Sequence, residues 1–136
     1  MVIEMKIKRF EDLECWKESR KLVNMVYAVI KSSKAFQNDH RLKNQCTGAA
    51  ISTMGNIPEG FVRRSNREFA QFLFVSISSA AELQSHFYVA LDQKYINQTT
   101  FDRVYNQVER VAKMVSRLIT YLLRSTHQTK QTRQTK

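Results

Sequence analysis

The sequence predicts an all-helical fold, and three observations support this prediction. The 136-residue chain has three glycines and one proline, so few residues suit the tight turns of hairpins. Apolar residues recur at intervals of three and four over long stretches, which is the spacing of a buried helical stripe. Ser65 followed by Glu68 has the pattern of a capping box at a helix start. We therefore predict an antiparallel up-down-up-down four-helix bundle over residues 10–125.

The first two predicted helices occupy residues 10–34 and 40–61. Asp39 stands directly before the second helix and suits its N-cap position. Pro58 has no amide hydrogen, so we expect it to kink or end this helix near residues 54–57. The second helix is also rich in small residues, which allow another backbone to approach closely; they are Gly48, Ala49, Ala50, Ser52 and Gly55.

The third and fourth predicted helices occupy residues 66–92 and 100–124. The third is apolar on more than one face, so it must be covered by three partner helices, or by two helices and a neighbouring subunit. The fourth has apolar residues in heptad alternation, the period of left-handed bundle packing, and Thr99 with Asp102 resembles its capping box. Residues 126–136 repeat a Gln-Thr-basic unit three times without an apolar residue, which predicts a disordered basic tail.

The charge balance indicates the kind of partner. With 22 Lys and Arg against 12 Asp and Glu, the formal net charge is +10, which attracts polyanions such as nucleic acid or an acidic membrane surface. No stretch reaches the roughly 18 apolar residues of a membrane span, and the N-terminal extension, residues 1–9, has no signal-peptide core. Cys15 and Cys46 are far apart in the sequence and form no C-x-x-C motif, so we expect both to be reduced thiols. We expect a cytoplasmic protein with nucleic acid, not a membrane, as partner.

Catalytic and metal-binding patterns are absent from the sequence. None of the three histidines belongs to the Glu-x-x-His pairs of a di-iron bundle, and none follows an arginine by five residues as in helical nucleases of the HEPN type. The sequence also has no phosphate-binding glycine loop and no nucleophile elbow. Glu82 and His86 share a helix face, but one such pair supplies too few metal ligands. We expect a non-enzymatic protein without catalytic residues, metal or cofactor.

Three polar residues, Asn56, Glu59 and Glu82, fall on or beside packed helical faces of the predicted bundle. A buried carboxylate requires a positive partner or full hydrogen bonding, and the nearest candidates are the arginines within residues 63–67. One interpretation is a structural polar lock that holds this corner or fixes a subunit interface. The other is a ligand pocket. The lock is favoured, because buried paired charges more often specify packing than bind a ligand.

The basic residues form a corner set near the start of the third helix, a heptad row on the fourth helix, and a tail set. The row alone fits an ordinary solvated face, but the sets together favour phosphate contacts that are independent of nucleic-acid sequence and weakened by salt. Most Phe and Tyr, including Tyr27, fall on buried stripes, which argues against stacking platforms for single strands. The candidate contact residues are Arg63, Arg64, Arg67, Arg103, Arg110, Lys113, Arg117 and Arg124.

Several short motifs occur together along the chain; they are Phe10-x-x-Leu13-x-x-Trp16, Asn56-Ile57-x-Glu59-Gly60, Glu68-Phe69-x-x-Phe72-Leu73, Ser79-x-x-Glu82-Leu83 and Lys94-Tyr95-Ile96. With these motifs the chain resembles the 23S ribosomal RNA intervening-sequence proteins from about residue 10 to residue 123. It departs from them at Pro58, where the family usually has Ala, and at Ser78-Ser79, which replaces Gly-Ser.

The resemblance implies an up-down-up-down bundle that assembles as a homopentamer with a central pore, in a family for which RNA binding is suspected. The accessory variability determinant of diversity-generating retroelements is similar in fold, and it is a basic pentamer that binds nucleic acid and a reverse transcriptase. We therefore expect a basic oligomer that binds RNA or DNA, with structured RNA favoured, through backbone phosphates. The alternative is a protein-interaction scaffold, for example an adaptor for a reverse transcriptase.

Overall fold

The computed structural model describes the backbone of residues 7–134 and the side chains of residues 7–125. All regular structure in this part is helical, which confirms the predicted fold class. A short helix in the first connection adds to the four long ones that were expected. The elements are a 3₁₀ turn at Phe10–Asp12, α1 (Glu14–Ser32), α2 (Lys34–Asn38), α3 (His40–Phe61), α4 (Asn66–Asp92) and α5 (Gln98–Gln134).

The two predicted helix starts at Asp39 and Ser65 are confirmed by their hydrogen bonds. The Leu42 amide donates to Asp39 Oδ1 at 3.0 Å, and the Glu68 amide donates to Ser65 Oγ at 3.2 Å. Each side chain thereby satisfies one of the amides that the first helical turn leaves without a partner. These caps place the starts of α3 and α4.

Pro58 does not end α3 near residues 54–57, so the predicted end was wrong, while the predicted kink stays a prediction. The helix continues through Pro58 to Phe61. Pro58 has no amide hydrogen to donate to the Met54 carbonyl, so the helix continues with one of its regular backbone hydrogen bonds missing. The end of the helix is closed instead by the Val62 amide, which donates to the Pro58 carbonyl at 3.2 Å.

Helix α5 differs from the prediction at both ends. It begins at Gln98, and the Thr100 amide donates to Asn97 Oδ1 at 2.8 Å, so Asn97 takes the capping role expected of Thr99. Its backbone is helical to Gln134, whereas the sequence predicted a disordered tail after residue 125. Extending an existing helix costs far less than starting one, which explains why the backbone continues without an apolar stripe. The last two residues and the first six of the N-terminal extension lie outside the described part.

The helices surround one apolar core. α3 packs on α4, α4 packs on α5, and α1 contacts both α3 and α5. The predicted heptad series of α5 is buried except at Leu118, whose place Ile119 takes, because a straight helix drifts slowly against a seven-residue repeat. The largest buried side chains are Phe36, Phe87, Leu22, Ile57, Leu73, Leu83 and Leu122.

Gly60 is the glycine at which α3 and α4 approach closely. A Cβ atom there would lie 2.7 Å from Phe69 Cδ1 and 3.0 Å from the Phe69 carbonyl oxygen. Nothing lies within 4 Å of the corresponding positions at Gly48 and Gly55. The close approach therefore occurs at Gly60, which was not among the small residues predicted to allow it, and Gly48 and Gly55 make no such contact within one chain.

We predict that Gly60→Ala lowers the free energy of unfolding by about 1–3 kcal/mol, because the new methyl group meets a backbone carbonyl that cannot move independently. Gly48→Ala is the matched control. It should leave stability unchanged or raise it by up to about 1 kcal/mol through better helix propensity. Urea denaturation followed by circular dichroism measures both, and equal effects of the two changes would contradict the assignment.

Candidate nucleic-acid interface

The predicted row of basic residues on α5 is exposed along its whole length. Residues seven apart lie on nearly the same side of a helix, with a drift of about 20° per heptad. At 1.5 Å per residue the row extends over about 30 Å, a length close to one turn of a nucleic-acid duplex. The exposed members are Arg103, Arg110, Lys113, Arg117 and Arg124.

The middle of the row forms a groove in the surface. Arg110, Lys113, Met114 and Arg117 line it, and its volume is about 340 Å³. Within residues 7–125, Lys113 and Arg117 make no ion pair, so their charges are available to an anion. The structure thus brings three of the predicted contact residues together at one place.

Arg110 has an ionic partner that the sequence analysis missed. Its guanidinium lies 3.3 Å from Glu18 Oε1, and Lys21 Nζ of α1 lies 3.3 Å from the same oxygen. Gln107 Nε2 donates to Glu18 Oε2 at 2.9 Å and to the Glu18 carbonyl at 3.0 Å. One buried carboxylate therefore joins α1 to α5 and holds two cations at the surface. The apolar stripe of α1 contained the clue, because Glu18 lies between the buried Cys15 and Leu22.

The surroundings of Glu18 favour its charged form. The hydrogen bond from Gln107, assisted by Lys21 and Arg110, holds the pKa of the Glu18 carboxyl below its usual value, although burial acts in the opposite direction. The carboxyl is consequently ionised at neutral pH. With one negative group between two positive ones, the site keeps a net positive charge.

The corner set lies where α3 ends and α4 begins. Arg63, Arg64 and Arg67 are exposed, and the Arg63 guanidinium lies 4.6 Å from the centre of the Phe72 ring. The neighbouring Asn66 is buried, and its Nδ2 donates to the Leu122 carbonyl of α5 at 3.4 Å. This bond places the corner set at the same end of the bundle as Arg124. Both predicted basic sets therefore reach this end of the bundle.

The predicted polar lock does not form within one chain. Glu59 is exposed and makes no ion pair with any residue from 7 to 125. Glu82 is 53% exposed and contacts His86 Nε2 at 3.1 Å rather than an arginine. Half-buried Asn56 donates to the Ser52 carbonyl at 2.8 Å. Both carboxylates are exposed, so the corner arginines do not hold them within one chain, and a lock at a subunit interface stays a prediction.

Serine hydroxyls supply the polar contacts between α3 and α4 instead. The hydroxyls of Ser52 and Ser79 share a hydrogen bond at 2.7 Å, and Ser76 Oγ donates to the Thr53 carbonyl at 2.6 Å. Short hydroxyl side chains satisfy buried polar groups without separating the helices. Ser79 of the Ser78-Ser79 pair thus contacts α3, whereas Ser78, the residue that departs from the family pattern, is exposed and donates to the Phe74 carbonyl of its own helix at 3.1 Å.

A large uncharged surface lies on the opposite helix pair. α3 has no charged residue over residues 44–58, and α4 has none over residues 69–81. Three large apolar side chains in these stretches are about half exposed: Ile51 at 50%, Phe74 at 52% and Val75 at 48%. α4 packs mainly on two helices, α3 and α5, so its remaining apolar face is open to a further partner.

Metal ligands, cysteine thiols and membrane-spanning helices are the other features that we looked for in the described residues. From 7 to 125 there is no group of three or more His, Cys, Asp or Glu side chains that could hold a metal ion. Both cysteines are unpaired and buried, and burial raises the pKa of the Cys15 thiol to about 11 and that of Cys46 to about 12. In the same part of the chain, no helix has the length and apolar content needed to cross a membrane.

Fold and surface together define a basic, all-helical bundle with a cationic face. The sequence profile described as 23S rRNA-intervening sequence protein matches residues 11–117, and the chain belongs to this family. A crystal structure from Bacteroides thetaiotaomicron, described as a protein with unknown function from the S23 ribosomal protein family, has the same fold with a TM-score of 0.63. It is 17% identical, and the match covers 75% of this chain and 97% of that one. A search of curated proteins found no match.

We predict that Glu18→Gln destabilises the protein by about 1–3 kcal/mol at pH 7, because it removes the charge from hydrogen bonds that join α1 to α5. A carboxyl whose pKa is lowered by folding stabilises the fold above its unfolded pKa, and this contribution is lost as the pH falls through the folded-state value. The difference in the free energy of unfolding between wild type and variant should therefore shrink as the pH falls below about 4.3, the pKa of an unperturbed Glu. Urea denaturation between pH 7 and pH 3 measures it, and a difference independent of pH would contradict the ionic role.

Proposed function

We propose that this protein is a non-enzymatic, oligomeric helical bundle that binds structured RNA through the phosphate backbone. The observation that carries the proposal is the row of exposed basic residues on α5, together with the exposed arginines of the α3–α4 corner. Phosphate contacts of Lys and Arg supply affinity that does not depend on base sequence. The family description refers to sequences within 23S rRNA, which favours RNA over DNA as the natural partner.

The arrangement of the helices supports an antiparallel up-down-up-down bundle. Between α3 and α4, Ser52 contacts Ser79 and Thr53 contacts Ser76. Between α4 and α5, Asn66 contacts Leu122 and Gln84 Nε2 donates to Glu109 Oε1. In both pairs of helices the residue numbers rise on one partner as they fall on the other. This topology places the cationic α5 beside α1 and away from α3.

The uncharged α3–α4 face supports self-association. Exposed apolar surface without charged residues is typical of interaction sites, and here it lies on the helix pair that carries the fewest basic groups. Copies joined through this face would keep their positive surfaces outward, which limits repulsion between chains of high net charge. We propose that the occupant is a second copy of the chain and that the closed assembly is a pentamer.

The same face also favours the second candidate function, a protein-interaction scaffold. A reverse transcriptase is one partner of the kind that the fold resemblance suggests. In that case a different protein would cover Ile51 and Phe74, and nucleic acid would be a secondary ligand. The two candidates differ in the oligomeric state of the isolated chain and in the salt dependence of RNA binding.

We predict that alanine at the three corner positions, Arg63, Arg64 and Arg67, weakens RNA binding and lowers the slope of log K against log salt. The expected reduction is about 0.7–0.9 for each phosphate that the variant no longer neutralises. Arg117→Ala should lower the slope by the amount expected for one phosphate. Arg41→Ala is the control, because it removes the same charge from an exposed site on α3, and it should leave the slope unchanged. Fluorescence anisotropy from low to moderate salt measures these slopes. No RNA binding at low salt, or unchanged slopes in the variants, would contradict phosphate contact.

We also predict that the isolated protein is larger than its 16.0 kDa chain, at about 80 kDa for five copies of that mass. Phe74→Glu should shift the particle toward the monomer, because a charge buried at an apolar interface is costly. Asn24→Glu, on the outer face of α1, adds the same charge as a control and should leave the mass unchanged. Light scattering coupled to size exclusion measures this. A monomeric wild type would remove the self-association proposal and favour the scaffold.

A further inference from the structure

A second groove lies at the junction of α1, α2 and α3, and neither the corner set nor the α5 row contributes to it. Its volume is about 490 Å³, within the range of small-ligand sites. None of the side chains that line it is a carboxylate, and most of them are exposed, so the groove is open to solvent. Its lining includes Tyr27, Lys31, Gln37, His40, Lys43 and Asn44.

The lining combines the groups that recognise a nucleotide. Tyr27, placed on a buried stripe by the sequence pattern, is 38% exposed and offers an aromatic face on which a base can stack. Lys31 and Lys43 make no ion pair within residues 7–125 and can contact phosphate. Gln37 Nε2 donates to the Lys31 carbonyl at 2.6 Å, which leaves the Gln37 amide oxygen as an acceptor, and Asn44 adds a donor and an acceptor for a base edge.

Helix α1 lies between this groove and the α5 row, because it lines the groove and also contacts Arg110. Tyr27 and Lys31 are four residues apart and share a face of α1 with Arg20, which lies seven residues before Tyr27. On the adjoining side of α1, Lys21 contacts Glu18, and Glu18 contacts Arg110 of the α5 row. A nucleic acid lying on α5 can therefore reach the groove by crossing a single helix whose exposed side is basic.

We propose that this groove binds one unpaired nucleotide of an RNA that lies on the α5 row, with its base stacked on Tyr27 and its phosphates contacted by Lys31 and Lys43. The inference rests on the proposed RNA binding and adds to it a preference for loops or bulges over uninterrupted duplex. Unpaired bases are the parts of RNA that can be turned out and stacked on aromatic side chains.

The test compares two RNAs of equal length, a hairpin with an unpaired loop and a blunt duplex, in anisotropy titrations at one salt concentration. The full-length wild type should favour the hairpin by about tenfold, the effect expected for one stacked base. Tyr27→Ala should remove this preference while leaving affinity for the duplex unchanged. Tyr27→Phe keeps the ring and should keep the preference, so a loss in Tyr27→Ala alone identifies stacking rather than a general disturbance of α1.

A 4-thiouridine placed in the hairpin loop should crosslink within residues 22–31, which trypsin releases as one peptide because Lys21 precedes it and Lys31 ends it. Equal affinity for the two RNAs, or loop crosslinks confined to other peptides, would overturn the groove proposal while leaving phosphate binding intact. A preference that survives Tyr27→Ala would overturn it as well. Failure of both RNAs to bind at low salt would instead overturn the proposed function.

Discussion

The contact between α1 and α5 closes the bundle, and a single buried carboxylate is at its centre. The other contacts between long helices join helices that follow one another in the sequence, whereas Glu18 and Gln107 come together across most of the chain. Ordering so long a segment is entropically costly, so the contact needs both apolar burial and satisfied polar groups. Because Glu18 also holds Arg110 and Lys21, the interaction that closes the fold orders part of the cationic surface.

The distribution of charge follows from how the four long helices share the core. α1 and α5 place basic side chains outward, and α3 and α4 leave uncharged, partly apolar strips outward. A face that a protein partner covers loses its contact with water, so it must not carry unpaired charges. A face that binds phosphates needs exposed positive charges. The basic row lies on α5 and the uncharged strips lie on α3 and α4, while the corner arginines lie where α3 meets α4.

Individual residues show why some sequence predictions succeeded and others did not. Asp39 and Ser65 were predictable as caps because capping depends on residues three positions apart. Pro58 and the close contact at Gly60 were not, because each depends on how α4 packs on α3. The exposure of Tyr27 was missed for the same reason, since helical spacing predicts which residues share a face but not how much of that face a neighbour covers.

The sequence by itself determined the helical fold class, the bounds of α3 and α4, the outward position of the basic row and the family motifs, since these depend on local spacing and on composition. Only the tertiary structure decided that Glu18 is buried beside Arg110, that Glu59 and Glu82 are exposed, and that a groove forms around Tyr27. These features depend on which helix faces meet. Periodicity along one helix specifies an apolar face, but the rotation and neighbours of that helix are set by packing with the others.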